Sequence, residues 1–383
     1  MNNEFNIQIS IPSVGDEEWH AIKRSIDSGW LTQGPRVKEF EQGFASRHEV
    51  KHALATTSCT TALHLMLLSI GIGPGDEVIV PSFTWISTAN AVLYCGAKPI
   101  LCDVDPATYN ISLGSIVDKL TSKTKAILVV HLFGLCVDVE EIKKVIPESI
   151  SIVEDCACAA GASLRGVPAG KLGRAGAFSF HPRKSITTGE GGMLTTDEDS
   201  IASLAEQLRN HGAKTSEEVR HQGAKPFLLP TFEVLGFNYR MTDLQGAIGF
   251  VQLQKLDKFI SERQDFALHY MEALSDLPWI QMPQMPLDGQ HAWQSFVTRI
   301  IPSEAPMERD LIMEKLQNKG IASRPGTHAI HMLDYYRSTF GYSPGDLPGA
   351  KYCHENTLSL PMHNKLTKGD IEFIAKTLKA IAQ

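Results

Sequence analysis

The sequence predicts an α/β protein whose main domain is a mostly parallel β-sheet covered by helices on both faces. Short apolar runs alternate with helical patterns between residues 52 and 196, and this alternation is typical of parallel sheets with crossover helices. Beyond about Leu277 the elements become shorter and proline is more frequent. The chain has 383 residues, 43% of them hydrophobic, so it can bury more than one core. We expect a large domain over residues 11–250 and a smaller C-terminal α/β domain over residues 251–383.

The first part of the chain supplies most of the expected elements. Two amphipathic helices are predicted over residues 16–28 and 37–47, because apolar side chains recur there at helical spacing. Strands are expected, from short apolar runs, at residues 52–57, 77–81, 99–104, 126–130, 150–155, 177–180 and 193–196. Helices are expected between them at residues 59–70, 86–93, 112–120, 139–145 and 201–210.

The rest of the chain begins with a long helical pattern over residues 240–275, whose apolar side includes Leu244, Val251 and Leu256. A strand follows at residues 293–301, and helices are expected at residues 308–319 and 368–382. These elements form the predicted smaller domain.

Composition excludes several classes of partner. The net charge is -7 and no dense basic run occurs, which argues against nucleic acid or an anionic membrane as the main partner. The longest apolar run, residues 126–137, is interrupted by His131 and Gly134 and is too short to span a bilayer. With no secretory pattern at the N-terminus we expect a cytoplasmic protein. The seven cysteines include no CxxC pair, which favours reduced thiols, and we expect no metal site.

The most informative stretch covers residues 176–192. A short predicted strand is followed by Pro182, Arg183 and Lys184, and a run rich in glycine and threonine leads into the next strand. Lys184 is therefore expected on a constrained loop. A lysine held beside another cation can act as a nucleophile towards carbonyl groups, because it loses its proton readily. The alternative is that Lys184 is one more surface lysine.

Other reactive or polar groups also fall at or just beyond predicted strand ends, where α/β proteins bind ligands. Asp155 ends a buried strand and needs a positive partner, for which the protonated ring nitrogen of pyridoxal phosphate is suited; otherwise it caps a helix. Ser58, Cys59 and Thr60 open a helix and can bind an anion or simply cap it.

Two further positions complete this set. Ser179 can add a hydroxyl to the anion site. Trp85 can stack on a flat ring, although a core aromatic residue is the commoner case. The glycines of residues 71–75 lie at a helix end and do not form a dinucleotide fingerprint. His328 and His331 have no carboxylate at metal-ligand spacing.

Several motifs together resemble the DegT/StrS family of pyridoxal-phosphate-dependent sugar aminotransferases, from about Ile11 to the C-terminus. The motifs that carry the resemblance are Ser-Cys-Thr-Thr-Ala-Leu (58–63), Gly-Asp-Glu-Val-Ile-Val-Pro-Ser-Phe-Thr-Trp (75–85), Glu-Asp-Cys-Ala-Cys-Ala (154–159), Phe-Ser-Phe-His-Pro-Arg-Lys-Ser-Ile-Thr-Thr-Gly-Glu-Gly-Gly (178–192) and Asn-Tyr-Arg-Met-Thr-Asp (238–243). The resemblance implies the fold-type I architecture, similar to aspartate aminotransferase.

The resemblance also implies roles for individual residues. Lys184 matches the lysine that forms the internal Schiff base, Asp155 the partner of the pyridine nitrogen, and Trp85 the ring-stacking aromatic. The positions that match the phosphate site are Ser58, Cys59, Thr60 and Ser179, with Asn238 donated by the neighbouring subunit of a homodimer. Two residues depart from the family, since Cys59 stands where glycine is usual and Cys158 where a glutamine near the cofactor is usual.

The implied reaction moves an amino group, usually from glutamate, to a nucleotide-linked keto sugar for surface-polysaccharide or glycan precursors. We expect a 4-keto-6-deoxy sugar, with a 3-keto sugar or a regulatory protein that binds the cofactor without turnover as alternatives. Lys184 favours transamination, since some members with histidine there are dehydratases. Arg240 and Lys225 are candidate ligands of the substrate phosphates, although each could be an ordinary surface cation.

Overall fold

The computed structural model of the chain describes residues 6–214, 229–286 and 288–381. Its centre is a seven-stranded sheet in the order β1-β10-β9-β6-β5-β2-β4. The strands of this sheet are β1 (His52–Thr56), β2 (Glu77–Pro81), β4 (Lys98–Cys102), β5 (Thr124–Val130), β6 (Ser151–Asp155), β9 (Ala175–Ser179) and β10 (Gly192–Thr196). The pairs from β9 to β4 are parallel, and β10 alone runs antiparallel to both of its neighbours. The expected α/β architecture is confirmed.

Helices cover both faces of this sheet, and others lie in the C-terminal part of the chain. The helices of the described residues are α1 (Asp16–Ser28), α2 (Pro35–Arg47), α3 (Cys59–Ser69), α4 (Ser87–Tyr94), α5 (Leu113–Lys119), α6 (Val139–Lys143), α7 (Asp199–Arg209), α8 (Asp243–Gln254), α9 (Leu256–Ala273), α10 (Arg309–Asn318), α11 (Asp334–Phe340), α12 (Pro348–Asn356) and α13 (Lys368–Ile381). Short strands also occur, at β3 (Phe83–Thr84), β7 (Ser163–Leu164), β8 (Val167–Pro168), β11 (Ile280–Gln281), β12 (Gly289–Gln290) and β14 (His328–Ala329).

The central strands are buried on both faces, and alternate residues belong to different cores. Val78 and Leu128 join the core that includes residues of α3, α4 and α7, whereas Ile79 and Ile127 join the core that includes residues of α5 and α6. This alternation follows from the period of two in a strand. It explains why β5 reads as a continuous apolar run in the sequence.

A second, three-stranded sheet lies in the C-terminal part of the chain. It has the order β11-β13-β15, with β13 at Phe296–Ile300 and β15 at Thr357–Leu360. Helices α9, α10 and α13 pack on it, and Ile7 from the start of the chain belongs to the same core. The division of the chain at residue 250 remains a prediction.

Two expected elements differ from the structure. The helical pattern of residues 240–275 forms two helices, α8 and α9, which meet at Lys255. The backbone N–H of Lys255 bonds to the carbonyls of Gln252 and Leu253 in a tighter turn, so the helix axis is interrupted there. The strand expected from residue 293 starts at Phe296, because Trp293 has a φ of 46° and cannot extend it.

Within the described residues no helix is both long and apolar enough to cross a membrane.

Helices α2 and α8 approach closely because α8 presents glycine to its neighbour. A Cβ at Gly246 would lie 2.6 Å from the backbone nitrogen of Val37, and one at Gly249 would lie 2.5 Å from the ring of Phe40. Asp243, at the start of α8, accepts hydrogen bonds from the backbone N–H groups of Arg36 and Val37. This contact fixes the start of α2 against α8.

We expect the substitution Gly246→Ala to lower the free energy of unfolding by about 1–3 kcal/mol, because backbone atoms must move to admit the methyl group. Gly114→Ala is the matched control, since Gly114 lies in α5 with no atom within 4 Å of the added Cβ. It should raise stability by about 0.5–1 kcal/mol. Denaturant titration of both variants measures this, and equal stabilities would contradict the close approach of α2 and α8.

Candidate active site

The register of the central sheet brings the predicted site residues to one edge. Gly192, the first residue of β10, pairs with Thr56 at the end of β1 on one side and with Ser179 at the end of β9 on the other. Asp155, at the end of β6, pairs with Ala177 of β9. The carboxyl ends of three strands therefore meet beside the start of β10, which is where ligands bind in α/β sheets.

Asp155 is buried at this edge, with only 4% of its surface exposed. Its Oδ2 accepts a hydrogen bond from Thr88 Oγ1 at 2.8 Å, and its Oδ1 accepts one from the backbone N–H of Ala157 at 3.0 Å. Burial raises the pKa of the Asp155 carboxyl, whereas these donors and the charge of Lys184 act to lower it. Among the described residues no cation forms an ion pair with this carboxylate, and a ligand cation would stabilise its charged form.

The sequence analysis missed Thr88, whose hydroxyl orients Asp155. Thr88 lies in α4, is fully buried, and its Oγ1 is 3.3 Å from Thr84 Oγ1. Thr84 lies in β3 and Thr88 in α4, so no regular spacing in the sequence pairs their hydroxyls. Which carboxylate they meet depends on packing between α4 and β6, which is not visible locally.

Glu154, next to Asp155, is held by a different set of partners. Its carboxylate accepts from the backbone N–H groups of Gly170 and Gly173 at 2.7 and 2.6 Å, and lies 2.8 Å from His131 Nε2. His131 Nδ1 accepts from the N–H of Val137, so Nε2 carries the proton and donates to Glu154. His131, Glu154 and Cys156 offer ligand atoms within 4.8 Å of one another. Since Glu154 already binds these donors, the group forms a hydrogen-bonded network that supports the end of β6.

The predicted anion site lies at the start of α3. Ser58 caps the helix, and its hydroxyl accepts from the N–H of Thr61 at 3.2 Å. A Cβ at Gly192 would lie 2.4 Å from the carbonyl oxygen of Ser58 and 2.6 Å from the nitrogen of Cys59. Only glycine leaves room for this approach. Thr60, in the first turn of α3, is half-buried. Ser179 is buried and pairs with Gly192 across β9 and β10.

The loop that carries Lys184 connects β9 to β10 and is closed by its own hydrogen bonds. The carbonyl of Phe180 accepts from the N–H of Thr188 at 3.0 Å and from Thr187 Oγ1 at 2.9 Å. The N–H of Phe180 donates to Gly191, and that of Lys184 donates to His181, both at 2.9 Å. The constrained loop that the sequence predicted is present.

The amine of Lys184 contacts Cys158, the residue that stands where the resembling family usually has a glutamine. Its Nζ donates to Cys158 Sγ at 3.3 Å, and both side chains are partly exposed. Cys59 is buried, with its Sγ 3.6 Å from the carbonyl of Ala177, and burial raises the pKa of its thiol well above the usual value. Cys59 is therefore a neutral packing residue, whereas Cys158 contacts the candidate catalytic amine.

Trp85 is 61% exposed and follows β3, which pairs with β14 so that His328 lies opposite Thr84. The rings of Trp85 and His328 are 5.7 Å apart. Trp85 is therefore not a core aromatic residue, which was the alternative to a residue that stacks on a flat ring. The segment of residues 328–329 therefore brings the C-terminal part of the chain to Trp85.

The segment with Asn238 and Arg240 runs beside β1 in the same chain. Asn238 is exposed and forms a backbone bridge with Asn210, and Arg240 forms one with Thr56. Arg240 Nη1 donates to Asn210 Oδ1 at 2.8 Å, while its Nε is buried without a partner among the described residues. Lys225 lies outside the described residues.

The residues at this edge fit pyridoxal phosphate, the cofactor that the resemblance implies. The glycine at position 192 lets β10 lie directly against the start of α3, the type of helix end at which a phosphate is bound. Asp155 is a buried carboxylate in need of a cation, which a protonated pyridine nitrogen supplies. Lys184 brings an amine to the same edge of the sheet, where its Nζ donates to Cys158 Sγ.

Comparison with known proteins supports this interpretation. The model of the DegT/DnrJ/EryC1/StrS aminotransferase family matches residues 12–379. A GDP-perosamine synthase of Caulobacter vibrioides is 38% identical over 384 residues, covering 100% of both chains. A spore coat polysaccharide biosynthesis protein of Bacillus subtilis is 35% identical and covers 100% of this chain and 98% of its own.

Solved structures agree over nearly the whole chain. A putative sugar aminotransferase of Streptococcus pneumoniae in its PMP form superposes with a TM-score of 0.92 at 27% identity, covering 98% of this chain and 99% of the other. Helicobacter pylori PseC, an aminotransferase involved in the biosynthesis of pseudoaminic acid, gives a TM-score of 0.90 at 27% identity, covering 98% of both chains.

We expect Thr88→Val to weaken cofactor binding roughly tenfold or more, because it removes a hydrogen bond to a carboxylate without opening a cavity. The hydroxyl of Thr88 lowers the pKa of Asp155. Loss of this hydroxyl should raise the pKa of Asp155. When the pH is lowered, the cofactor affinity of Thr88→Val should therefore begin to fall at a higher pH than that of the wild type. Equilibrium dialysis of the cofactor at several pH values measures both effects. Thr88→Ser keeps the hydroxyl and should retain the wild-type profile, and an unchanged profile in Thr88→Val would contradict the role of Thr88.

Proposed function

The chain belongs to the DegT/DnrJ/EryC1/StrS aminotransferase family and uses pyridoxal phosphate, and we propose that it aminates a nucleotide-linked 4-keto-6-deoxy sugar, with glutamate as donor. Chains named as sugar aminotransferases match it throughout, so the reaction class is sugar amination. The observation that supports the proposal is that Lys184, Asp155 and the start of α3 lie together at one edge of the central sheet, where the charge of Lys184 lowers the pKa of Asp155. The relative named GDP-perosamine synthase supports a nucleotide-linked sugar.

Pyridoxal phosphate, when bound, accepts the amino group and withdraws electrons from the reacting carbon. Asp155 would keep the ring nitrogen protonated, because it is buried and its other donors are neutral. The Lys184 amine would take a proton from the α-carbon of the donor and return one to the aminated sugar carbon. The tight loop around Lys184 restricts where this amine can reach.

The decisive experiment is turnover of nucleotide-linked 4-keto and 3-keto sugars with glutamate, followed by mass spectrometry of the amino sugar. We expect Lys184→Ala to reduce turnover by on the order of a thousandfold or more, since it removes the acid–base group. Its melting temperature without cofactor should stay unchanged, because no core cavity opens.

Lys258→Ala is the matched control, because the Lys258 side chain is 76% exposed on α9. It should keep full turnover. A wild-type chain that binds the cofactor but aminates no keto sugar would favour a regulatory role, and amination of a 3-keto sugar alone would replace the 4-keto assignment.

We further propose that the active unit is a homodimer in which Asn238 completes the site of the partner. Asn238 is exposed and makes its bridge to Asn210 through the backbone, so its side chain can face another chain. Trp19 and Ile26, 62% and 54% exposed, lie seven residues apart on one face of α1, and Leu31 beyond it is 50% exposed. Such clustered apolar exposure suits contact with a second copy. Arg240, two residues beyond Asn238, remains a candidate ligand of the sugar-nucleotide phosphates.

Subunit complementation tests the shared site. Mixing Lys184→Ala with Asn238→Ala chains should restore activity, because one site of each heterodimer carries both lesions and the other carries neither. With free exchange half of the dimers are mixed, so recovery of about a quarter of wild-type activity is expected. Proven exchange without recovery, or a fully active monomer, would refute the arrangement. Mixing two Lys184→Ala preparations is the control and should recover nothing.

A further inference from the structure

A buried glutamine of α8 joins the Lys184 loop to the beginning of the chain. Gln252 is 1% exposed, and its Oε1 accepts from the backbone N–H of Thr187 at 3.2 Å. Its Nε2 donates to the carbonyl of Ser13 and to Glu18 Oε1, both at 2.8 Å. One side chain therefore connects the backbone three residues beyond Lys184 with the first turn of α1 and the segment before it.

The partners of this amide fix its orientation. The carbonyl of Ser13 and the ionised carboxylate of Glu18 only accept hydrogen bonds, whereas the backbone N–H of Thr187 only donates one. Turning the amide over would place its oxygen against two acceptors and its NH₂ group against a donor. All three hydrogen bonds would then be lost at a buried side chain, which is costly. Gln252 is therefore held in one arrangement.

Glu18, at the far end of this connection, is itself held by a cation. Its Oε1 lies 2.6 Å from Lys255 Nζ, and its Oε2 accepts from the N–H of Gly15 at 2.8 Å. Burial acts to raise the pKa of Glu18, but the hydrogen bonds to its carboxylate outweigh burial and lower the pKa. Glu18 is therefore charged at neutral pH and is a strong acceptor for Gln252.

Thr187 is the point at which this connection enters the Lys184 loop. Its Oγ1 donates to the carbonyl of Phe180 at 2.9 Å and accepts from the N–H of Gly189 at 3.0 Å. These two bonds lie within the loop, so they set its shape but not its position in the protein. The bond from the N–H of Thr187 to Gln252 fixes the loop against α8.

A second buried glutamine holds the loop on the other side of Lys184. Gln294 is 6% exposed, and its Nε2 donates to the carbonyl of Arg183 at 2.9 Å. Lys184 lies between Arg183 and Thr187, so its backbone is fixed from both sides. The Lys184 amine can then move mainly through its own side-chain torsions.

We propose that Gln252 is a positioning residue for Lys184, and that Glu18 supports Gln252 from α1. Proton transfer requires the amine to lie within about 3 Å of the atom that gives or takes the proton. A displacement of about 1 Å can slow a reaction by about a hundredfold. The assignment rests on the proposed role of Lys184 as the acid–base group and adds the residues that hold its backbone in place.

Hydrogen exchange of the cofactor-free chain tests the anchor directly. In Gln252→Leu, which nearly conserves the side-chain volume, the amide of Thr187 should exchange about 3- to 10-fold faster, because one hydrogen bond is lost. The amides of β9 and β10 should change by less than about twofold. Gln254→Leu is the matched control, since Gln254 is exposed on the same helix. Unchanged exchange at Thr187 would overturn the anchor, and equally faster exchange in β9 and β10 would show that Gln252 only stabilises the fold.

Single-turnover conversion of the PLP form to the PMP form by glutamate tests the effect on Lys184. Gln252→Leu should lower the rate at saturating glutamate by roughly 10- to 100-fold, because the amine is displaced. The half-saturating glutamate concentration should change by less than about twofold, since Gln252 makes no substrate contact in the proposal. An unchanged rate, or a loss confined to glutamate affinity, would contradict the positioning role.

Exchanging donor and acceptor separates positioning from a loss of stability. Gln252→Glu keeps an acceptor for Thr187 but sets two carboxylates against each other, so it should slow the same step. Adding Glu18→Gln restores a donor opposite position 252 and should recover most of the rate, whereas adding it to Gln252→Leu should recover nothing. Absence of recovery in the exchanged pair would count against the connection through Glu18.

The two kinds of measurement also keep this inference distinct from the proposed reaction. A wild-type chain that glutamate does not convert would refute the proposed transamination. The exchange rate of the Thr187 amide would still decide whether Gln252 holds the loop, because it is measured without cofactor or substrate.

Discussion

Two adjacent carboxylates buried at the end of β6 are the constraint on which the site depends. Glu154 and Asp155 are 0% and 4% exposed, and successive residues of a strand point to opposite faces. Glu154 faces the loop of residues 170–173 and His131, which bind both of its oxygens. Asp155 points to the other face, where a hydroxyl and one backbone N–H bind it and no cation of the described residues forms an ion pair with it. The first carboxylate stabilises the structure, and we propose that the second stabilises the protonated ring nitrogen of the cofactor.

Much of this could be predicted from the sequence, because the informative features are local. Strands β5 and β6 are short apolar runs, the Ser58 cap precedes an apolar helix, and Pro182 with the following glycines restricts the Lys184 loop. The break between α8 and α9 was missed, since residues 240–275 keep an apolar periodicity through Lys255. The antiparallel direction of β10 was also hidden, because an apolar run does not reveal its orientation.

The residues missed at the site share a different property. Thr88 meets Asp155 across 67 positions of the chain, and Gly192 meets Ser58 only because β10 pairs with β1. Such contacts depend on three-dimensional packing. Residue types and spacing can name the reacting groups, but they cannot identify the groups that orient them.

The closed loop around Lys184 has a thermodynamic consequence for cofactor loading. Since Phe180 binds Thr187, Thr188 and Gly191, the backbone of this loop loses its conformational freedom when the chain folds. Cofactor binding then has little further loop entropy to lose, so the affinity for the cofactor reflects the contacts that the cofactor forms. The cofactor-free chain is thus preorganised to bind the cofactor. The heat-capacity change on cofactor binding should be small, because it arises from buried surface and not from coupled folding.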